Sequence, residues 1–177
     1  MTNVLLISED KIKTELALDN NIYGKYLLPS IKQAQEIELQ SIIGTSLLNH
    51  IYNLIENNLI NEDDNLIYKR LIDDYIQNYL LYQTLVELIP ILAVKLDNIG
   101  IVINQDEKVT NISKERVDYL ISFYQYKADF FKKRLQNYLC KNYNLYSQYL
   151  TCDCAGIKPN LKDTESCNIF LGGIYHK

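Results

Sequence analysis

The stretch that decides the fold is residues 113–141, SKERVDYLISFYQYKADFFKKRLQNYLCK. Its apolar side chains recur in steps of three and four, at Val117, Ile121, Tyr124, Ala128, Phe131, Leu135 and Tyr138. Residues at this spacing share one face of an α-helix. The stretch therefore predicts a long helix that turns this face to a core and starts at Ser113. A coiled-coil seam has the same spacing, but about three heptads favour a core-facing helix.

Upstream, the chain predicts further helices of the same kind. Ser8 followed by Glu9 and Asp10 is a helix start, a capping hydroxyl before first-turn acids. A second helix carries Leu27, Leu28, Ile31, Ala34 and Ile37 and should stop at Gly44. Pro29 belongs near its start or bends it.

Two more helices follow Gly44 in the sequence. Thr45 or Ser46 can cap the first of them, which runs through Leu47, Leu48, Ile51, Leu54 and Ile55. A polar loop then leads to a long helix from about residue 64 to 96, in which Pro90 should cause a bend or a break. The apolar stripe of this helix is Leu71, Tyr75, Tyr79, Tyr82, Val86, Ile89 and Ala93.

The pattern changes in two places. Between residues 99 and 112, Ile101-Val102-Ile103 and Val109-Thr110 flank a polar turn, which predicts a β-hairpin. From residue 151 the chain is rich in Gly and Cys and ends with the apolar residues Phe170, Leu171, Ile174 and Tyr175. The expected fold is therefore mainly α: a helical bundle of four to five helices in a domain of residues 1–150, with a short β-hairpin insertion, and an extended C-terminal arm of residues 151–177. This arm either folds back on its own domain or docks on a neighbour.

Composition limits the possible functions. The chain has 177 residues, enough for one domain, and a net charge of −4. This charge provides no global basic field for holding nucleic acid. No apolar run has the length needed to span a bilayer, and the N-terminus lacks a signal-peptide pattern, so no membrane contact is expected and the protein should be soluble and cytoplasmic.

No catalytic motif is recognisable, so we expect no enzyme, no cofactor and no catalytic residue. His50 lies beside apolar residues of a helix and is interpreted as a packed side chain; His176 lies one residue from the end. Cys140, Cys152, Cys154 and Cys167 are spaced unlike paired zinc knuckles, and a reducing cytoplasm makes a disulfide improbable. Free thiols are the favoured interpretation, with a zinc site as the alternative.

Aromatic and basic residues alternate in Tyr124-Gln125-Tyr126-Lys127 and in residues 130–134, FFKKR. Such a pattern could form a stacking platform for single-stranded nucleic acid. On a helix, however, most of these rings should fall on the buried stripe and the lysines on the opposite face. A packed helix is therefore the favoured interpretation.

The first fifty residues carry a more specific pattern. Residues 6–12, LISEDKI, lead through Leu16 and Asp19 to the second helix with its central Ala34, and then to Ile42-Ile43-Gly44 and Leu47. This order resembles the opening of the head–tail connector (adaptor) family of tailed phages. The composition, rich in Asn, Ile and Tyr, makes the chain most similar to ring proteins of crAss-like phages of gut Bacteroides.

The resemblance implies a structural virion protein, located in the head–tail neck and in the host cytoplasm during assembly. Family members form a ring, here an expected dodecamer, that docks under the portal protein and meets the next tail or connector ring. Double-stranded DNA passes through the lumen without specific binding. The expected interface residues are Phe170, Leu171, Ile174, Tyr175, Ile101 and Ile103. The alternative hypothesis is a small helical cytoplasmic protein that is regulatory or binds nucleic acid, and a helical-bundle enzyme is disfavoured because no Glu-x-x-His pattern is present.

Overall fold

The structure, a computed structural model, describes residues 4–17, 24–93, 95–97, 100–102, 114–150 and 156–161. In these residues the protein is mainly α, as predicted, with five continuous helices. Helix α1 is Glu9–Glu15 and α3 is Thr45–Glu56. Helix α2 runs from Gly24–Gln33 through Ala34–Leu39 to Gln40–Ile43, helix α4 from Leu66–Leu71 through Ile72–Ile76 to Gln77–Ala93, and helix α5 is Lys114–Lys141.

The predicted helix signals at Ser8 and Gly44 are confirmed. The Ser8 hydroxyl accepts a hydrogen bond from the Lys11 N–H at 3.2 Å and so satisfies a free donor of the first turn. Gly44 adopts a φ of +81°, which ends α2, and it directly precedes α3. Thr45 does not cap α3; its hydroxyl contacts the C-terminal part of the chain instead.

Two helices contain a π-helical stretch that the sequence pattern did not predict. The stretches are Ala34–Leu39 in α2 and Ile72–Ile76 in α4. A π turn adds a residue to the helical repeat and shifts the phase of the side chains that follow. In α4, the shift lets Ile72 and Ile76 lie in the core together with Tyr79 and Leu80.

Helices α4 and α5 pack against each other in antiparallel directions. Tyr75 stacks on Tyr138 with ring centroids 4.0 Å apart, and Tyr82 stacks on Phe131 at 5.3 Å. A later residue of α4 therefore meets an earlier residue of α5. Ala128, Leu135 and Leu139 of α5 reach the common core, which also takes residues from α1, α2, α3 and α4.

The predicted hairpin at residues 99–112 is not supported. Ile101 lies in a three-residue strand, Gly100–Val102, but this strand pairs with Lys95–Asp97 in antiparallel register, Leu96 opposite Ile101. The expected partner strand, residues 109–110, and the expected turn lie outside the described residues. The apolar pattern at residues 101–103 identified one strand. The partner of this strand is Lys95–Asp97, in the connection that follows α4.

The chain after α5 covers the open end of the bundle. Tyr146 and Tyr149 are completely buried there, next to a 3-10 turn at Tyr143–Leu145. The Tyr146 hydroxyl lies 3.0 Å from that of Tyr138 and donates to the Ile67 carbonyl at 3.2 Å. Residues 142–150 are therefore part of the domain, although they lack helical periodicity.

Residues 156–161, the folded-back segment, lie on the corner between α2 and α3. The Thr45 N–H donates to the Ile157 carbonyl at 3.0 Å, and the Ile157 N–H donates to the Thr45 hydroxyl at 2.8 Å. The Asn160 N–H donates to the Ser41 carbonyl at 3.0 Å. A Cβ on Gly44 would lie 2.9 Å from Pro159 Cδ, so the close approach requires glycine. This part of the arm thus folds back on its own domain.

Candidate assembly surface

Helix α5 carries a second apolar stripe, which is exposed to solvent. Its members are Tyr119 (66% exposed), Phe123 (42%), Tyr126 (77%) and Phe130 (60%). Each lies two positions after a member of the predicted stripe, so the four rings point away from the core-facing side. We call these four residues the exposed stripe. The prediction that most rings of residues 124–134 fall on the buried face is wrong for Tyr126 and Phe130.

The predicted stripe itself faces the core. Ala128 and Leu135 are fully buried, and the other members are half-buried against neighbouring elements. One helix therefore offers aromatic residues to the protein interior and to the surface. The sequence signal for the exposed stripe was present, as 4-3-4 spacing at residues 119, 123, 126 and 130, but periodicity alone does not tell which of two stripes is covered.

The exposed rings form a continuous surface with a cation among them. Tyr119 and Phe123 are stacked, with ring centroids 6.3 Å apart. The Lys127 ammonium lies 4.3 Å from the centroid of Phe123 and 5.4 Å from that of Tyr82. A cation over a ring face is attracted by the negative potential of the ring and orders the side chains around it.

The exposed stripe leads into a shallow groove of about 470 Å³ at the C-terminal end of α5. Tyr75 of α4 forms one side, and the remaining lining residues are Phe130, Lys133, Arg134, Asn137, Tyr138, Lys141 and Asn142. We call these eight residues the basic groove. The Arg134 guanidinium lies 5.1 Å from the centroid of the Tyr75 ring, which holds it at the rim.

The cations of the basic groove are not neutralised by carboxylates. Among the described residues, the ion pairs are Lys11–Glu15 and Lys13–Glu9, both within α1. Residues 127–141 contain five basic side chains and one acidic, Asp129, whose carboxylate accepts from the Gln125 amide at 2.9 Å. The groove is therefore a local positive site in a protein with a net charge of −4.

A cluster of acidic side chains lies between α3 and α4. Glu62, Asp63 and Asp64 are all exposed there, and we call them the acidic loop. Leu59 and Leu66, at the two sides of this loop, are exposed as well.

Hydrogen bonds fix the shape of the acidic loop. The Asn65 amide donates to the Leu59 carbonyl at 3.0 Å, and the Lys69 ammonium donates to Asn61 Oδ1 at 2.7 Å. The Leu59 N–H donates to the Leu54 carbonyl at 2.8 Å. A loop held in this way loses little conformational entropy when a partner contacts it.

The residues considered for catalysis are not brought together. His50 is half-buried with its ring against the edge of Tyr68, at 4.7 Å between centroids, and burial lowers its pKa below the ordinary value. Asp63 and Asp64 lie on the acidic loop, and Asp73 and Asp74 are exposed on α4. Within the described residues, no three His, Cys, Asp or Glu side chains are placed to hold a metal ion.

Most of the predicted interface residues cannot be placed. Phe170, Leu171, Ile174, Tyr175 and Ile103 lie outside the described residues, and Ile101 lies in the short strand that pairs with Lys95–Asp97. Of the part of the chain that the structure describes, no helix is both long and apolar enough to cross a membrane.

Cys140 corrects the prediction of free thiols. It is disulfide-bonded and nearly buried near the end of α5. The other three cysteines, Cys152, Cys154 and Cys167, lie outside the described residues. The prediction rested on a reducing cytoplasm. The redox state of the surroundings does not decide by itself whether two sulfur atoms come within bonding distance.

Fold and surface together define a mainly α protein with a buried core and, among the described residues, an exposed aromatic stripe on α5. Residues 39–158 match the model of DUF6712, described as a family of unknown function, and the chain belongs to this family. The matched range contains Gly44, the acidic loop, α3, α4 and α5, and the start of the folded-back segment. No curated protein and no solved structure matches the chain.

Proposed function

We propose that the protein is a structural assembly protein, a head–tail connector ring of a tailed phage without catalytic activity. The observation that carries the proposal is the exposed stripe. Four neighbouring aromatic rings on one helix are a large contiguous apolar area for a soluble protein, and such areas mark surfaces that a partner covers. The resemblance of the first fifty residues to connectors names the kind of assembly.

Further features are consistent with such a ring. Hydrogen bonds hold the folded-back segment, a part of the C-terminal arm, on the corner of α2 and α3. We propose that Phe170, Leu171, Ile174 and Tyr175 contact a neighbouring copy, the portal protein or the next ring. A net charge of −4 suits a conduit through which DNA passes without being held.

The proposal is tested by measuring assembly of the purified protein with and without the portal protein. Light scattering coupled to size-exclusion chromatography gives the mass of the complex, and a pulldown gives portal binding. We expect a ring, dodecameric if the family pattern holds, and stable portal binding. A protein that stays monomeric at high concentration and does not bind the portal would contradict the proposal.

A pair of substitutions connects assembly to the exposed stripe. Tyr126→Ser with Phe130→Ser removes two exposed rings, so assembly should weaken by about tenfold or more while the far-ultraviolet circular dichroism stays unchanged. Lys114→Ala, an exposed change at the far end of α5, is the matched control and should assemble like the wild type.

A second candidate is the nucleic-acid-binding protein, and the basic groove is the observation that favours it. Exposed Phe130 next to Lys133 and Arg134 provides a ring and two cations, the combination that holds single strands. Fluorescence anisotropy with a labelled single-stranded oligonucleotide tests this candidate. Binding that disappears in Phe130→Ser and weakens steeply with salt would favour it over the connector ring.

A further inference from the structure

We propose that the basic groove of one copy receives the acidic loop of a second copy of this chain. The inference rests on the proposed assembly function and states which surfaces meet. Its first support is charge complementarity: Lys133, Arg134 and Lys141 line the groove, and Glu62, Asp63 and Asp64 form the loop. Complementary charges guide two surfaces to each other and set their register.

Among the described residues, the charges of the two surfaces have no oppositely charged partner. The three groove cations make no ion pair among the described residues, and neither do the three loop carboxylates. Exposed pairs of opposite charge gain little in water, but their attraction grows when an apolar contact removes solvent around them. An interface between the two surfaces supplies this condition.

Apolar side chains accompany the charges on both sides. Phe130 stands at the groove, with its ring edge-to-face on Phe131 at 5.2 Å between centroids. Leu59 and Leu66 flank the acidic loop. An interface between the two surfaces would therefore combine charged pairs with adjacent apolar contacts, and both kinds of contact occur in protein–protein interfaces.

The acidic loop cannot fill the groove of its own chain. Asp64 and Tyr75 belong to the same helical run and are eleven residues, or about three turns, apart. At a rise of about 1.5 Å per residue, the helix keeps them about 16 Å apart along its axis. An ion pair requires about 4 Å between the charged atoms, and among the described residues none joins the loop to the groove, so we place the loop of a second copy there.

Charge reversal tests the contact. The double substitution Lys133→Glu and Arg134→Glu reverses the charge of the groove. The double substitution Asp63→Lys and Asp64→Lys reverses the charge of the loop. All four side chains are exposed, so the fold should persist. We expect each pair alone to weaken assembly by about tenfold or more, because like charges then meet across the interface. The four changes combined in one chain should restore assembly.

Two controls separate the contact from a general effect of charge. Lys114→Glu makes the same change as Lys133→Glu at the other end of α5 and should leave assembly unchanged. A mixture of the groove-reversed and the loop-reversed chains should associate even though each fails alone, since each then offers a surface that fits the other. The wild-type complex should weaken as salt rises, because mobile ions screen the charges.

The possible outcomes decide between the hypotheses. If the wild type assembles and neither reversal changes it, the contact proposed here is wrong while the connector proposal stands. If reversing the groove charge weakens assembly but reversing the loop charge does not, the groove has another occupant and the contact proposed here is wrong. Loss of single-stranded DNA binding in the groove-reversed variant would identify this occupant as nucleic acid. If the wild type does not associate even at low salt and high concentration, the contact proposed here is wrong; the connector proposal fails with it only if the protein also does not bind the portal.

Discussion

The two apolar stripes of α5 have the same residue spacing and opposite environments. Leu135 and Ala128 on one stripe are fully buried against α4 and the core, whereas Tyr126 and Phe130 on the other are mostly exposed. Both stripes follow the same 4-3-4 spacing, two positions apart. The difference shows that the described residues cover one side of α5 and leave the other exposed. Exposed apolar areas of this kind are typical of surfaces that contact a partner.

The largest effect should come from raising the pH, because the buried tyrosine rings cannot ionise without exposure to water. Burial raises the pKa of Tyr149 to about 12, and burial also raises the pKa of Tyr79 and Tyr146. The unfolded chain releases these protons nearer pH 10, so stability is fully present below pH 10 and is lost as the pH rises towards 12. We expect cooperative unfolding in this window.

Circular dichroism and tyrosinate absorbance, followed together through the alkaline range, measure this transition. The last part of the absorbance change should coincide with the loss of helix. If all tyrosines ionise while the helical signal stays intact, the buried rings are not as isolated from water as described.

Leu135→Ala should have the next largest effect, since Leu135 is fully buried on the covered stripe. Removing a buried leucine side chain costs about 2–5 kcal/mol of unfolding free energy, as lost transfer energy and a cavity. Phe130→Ala on the exposed stripe should change stability by about 0.5 kcal/mol or less. Urea denaturation of both variants makes the comparison, and equal losses would show that both stripes are covered in the isolated chain.

Phe131→Ala should have an intermediate effect. Phe131 is half-buried and stacked on Tyr82 at 5.3 Å, so we expect a cost of about 1–3 kcal/mol, below that of a fully buried ring. A double-mutant cycle with Tyr82→Ala isolates the contribution of stacking. The control is Lys133→Ala, an exposed neighbour, whose stability should stay within about 0.5 kcal/mol of the wild type.

The smallest effects on stability should come from removing the buried hydroxyl of Tyr146 or of Tyr149. Tyr146 donates to the Ile67 carbonyl and lies 3.0 Å from the Tyr138 hydroxyl, so Tyr146→Phe should cost about 1 kcal/mol. Among the described residues the Tyr149 hydroxyl has no hydrogen-bond partner, so Tyr149→Phe should be neutral or slightly stabilising. Thermal unfolding of the two variants tests the order, and a greater loss in Tyr149→Phe would reverse it.

The sequence predicted the helical part of this fold because each signal there is local. The Ser8 cap, the Gly44 stop and the stripe of α5 depend on neighbours within one or two turns. The stripe of α4 from Leu71 to Ala93 is likewise buried or half-buried as predicted, despite the π-helical stretch in its first half.

The features that escaped prediction depend on distant residues. Thr45 has the side chain of a helix cap, but its hydroxyl contacts Ile157, which is 112 positions away. Tyr146 and Tyr149 carry no helical periodicity, yet they fill the end of the bundle. The bonded state of Cys140 also depends on which segments meet in space. The candidate site was missed for a related reason: two stripes of equal quality compete for one core, and sequence spacing does not rank them.

The contact between Thr45 and Ile157 also has a consequence for the order of folding during synthesis. A ribosome that adds about 5–20 residues per second needs about 6–22 s to make the 112 residues that separate the two partners. During this delay the corner of α2 and α3 is present without the segment that binds it. The corner between α2 and α3 is therefore completed only after α5 and residues 156–161 have left the ribosome.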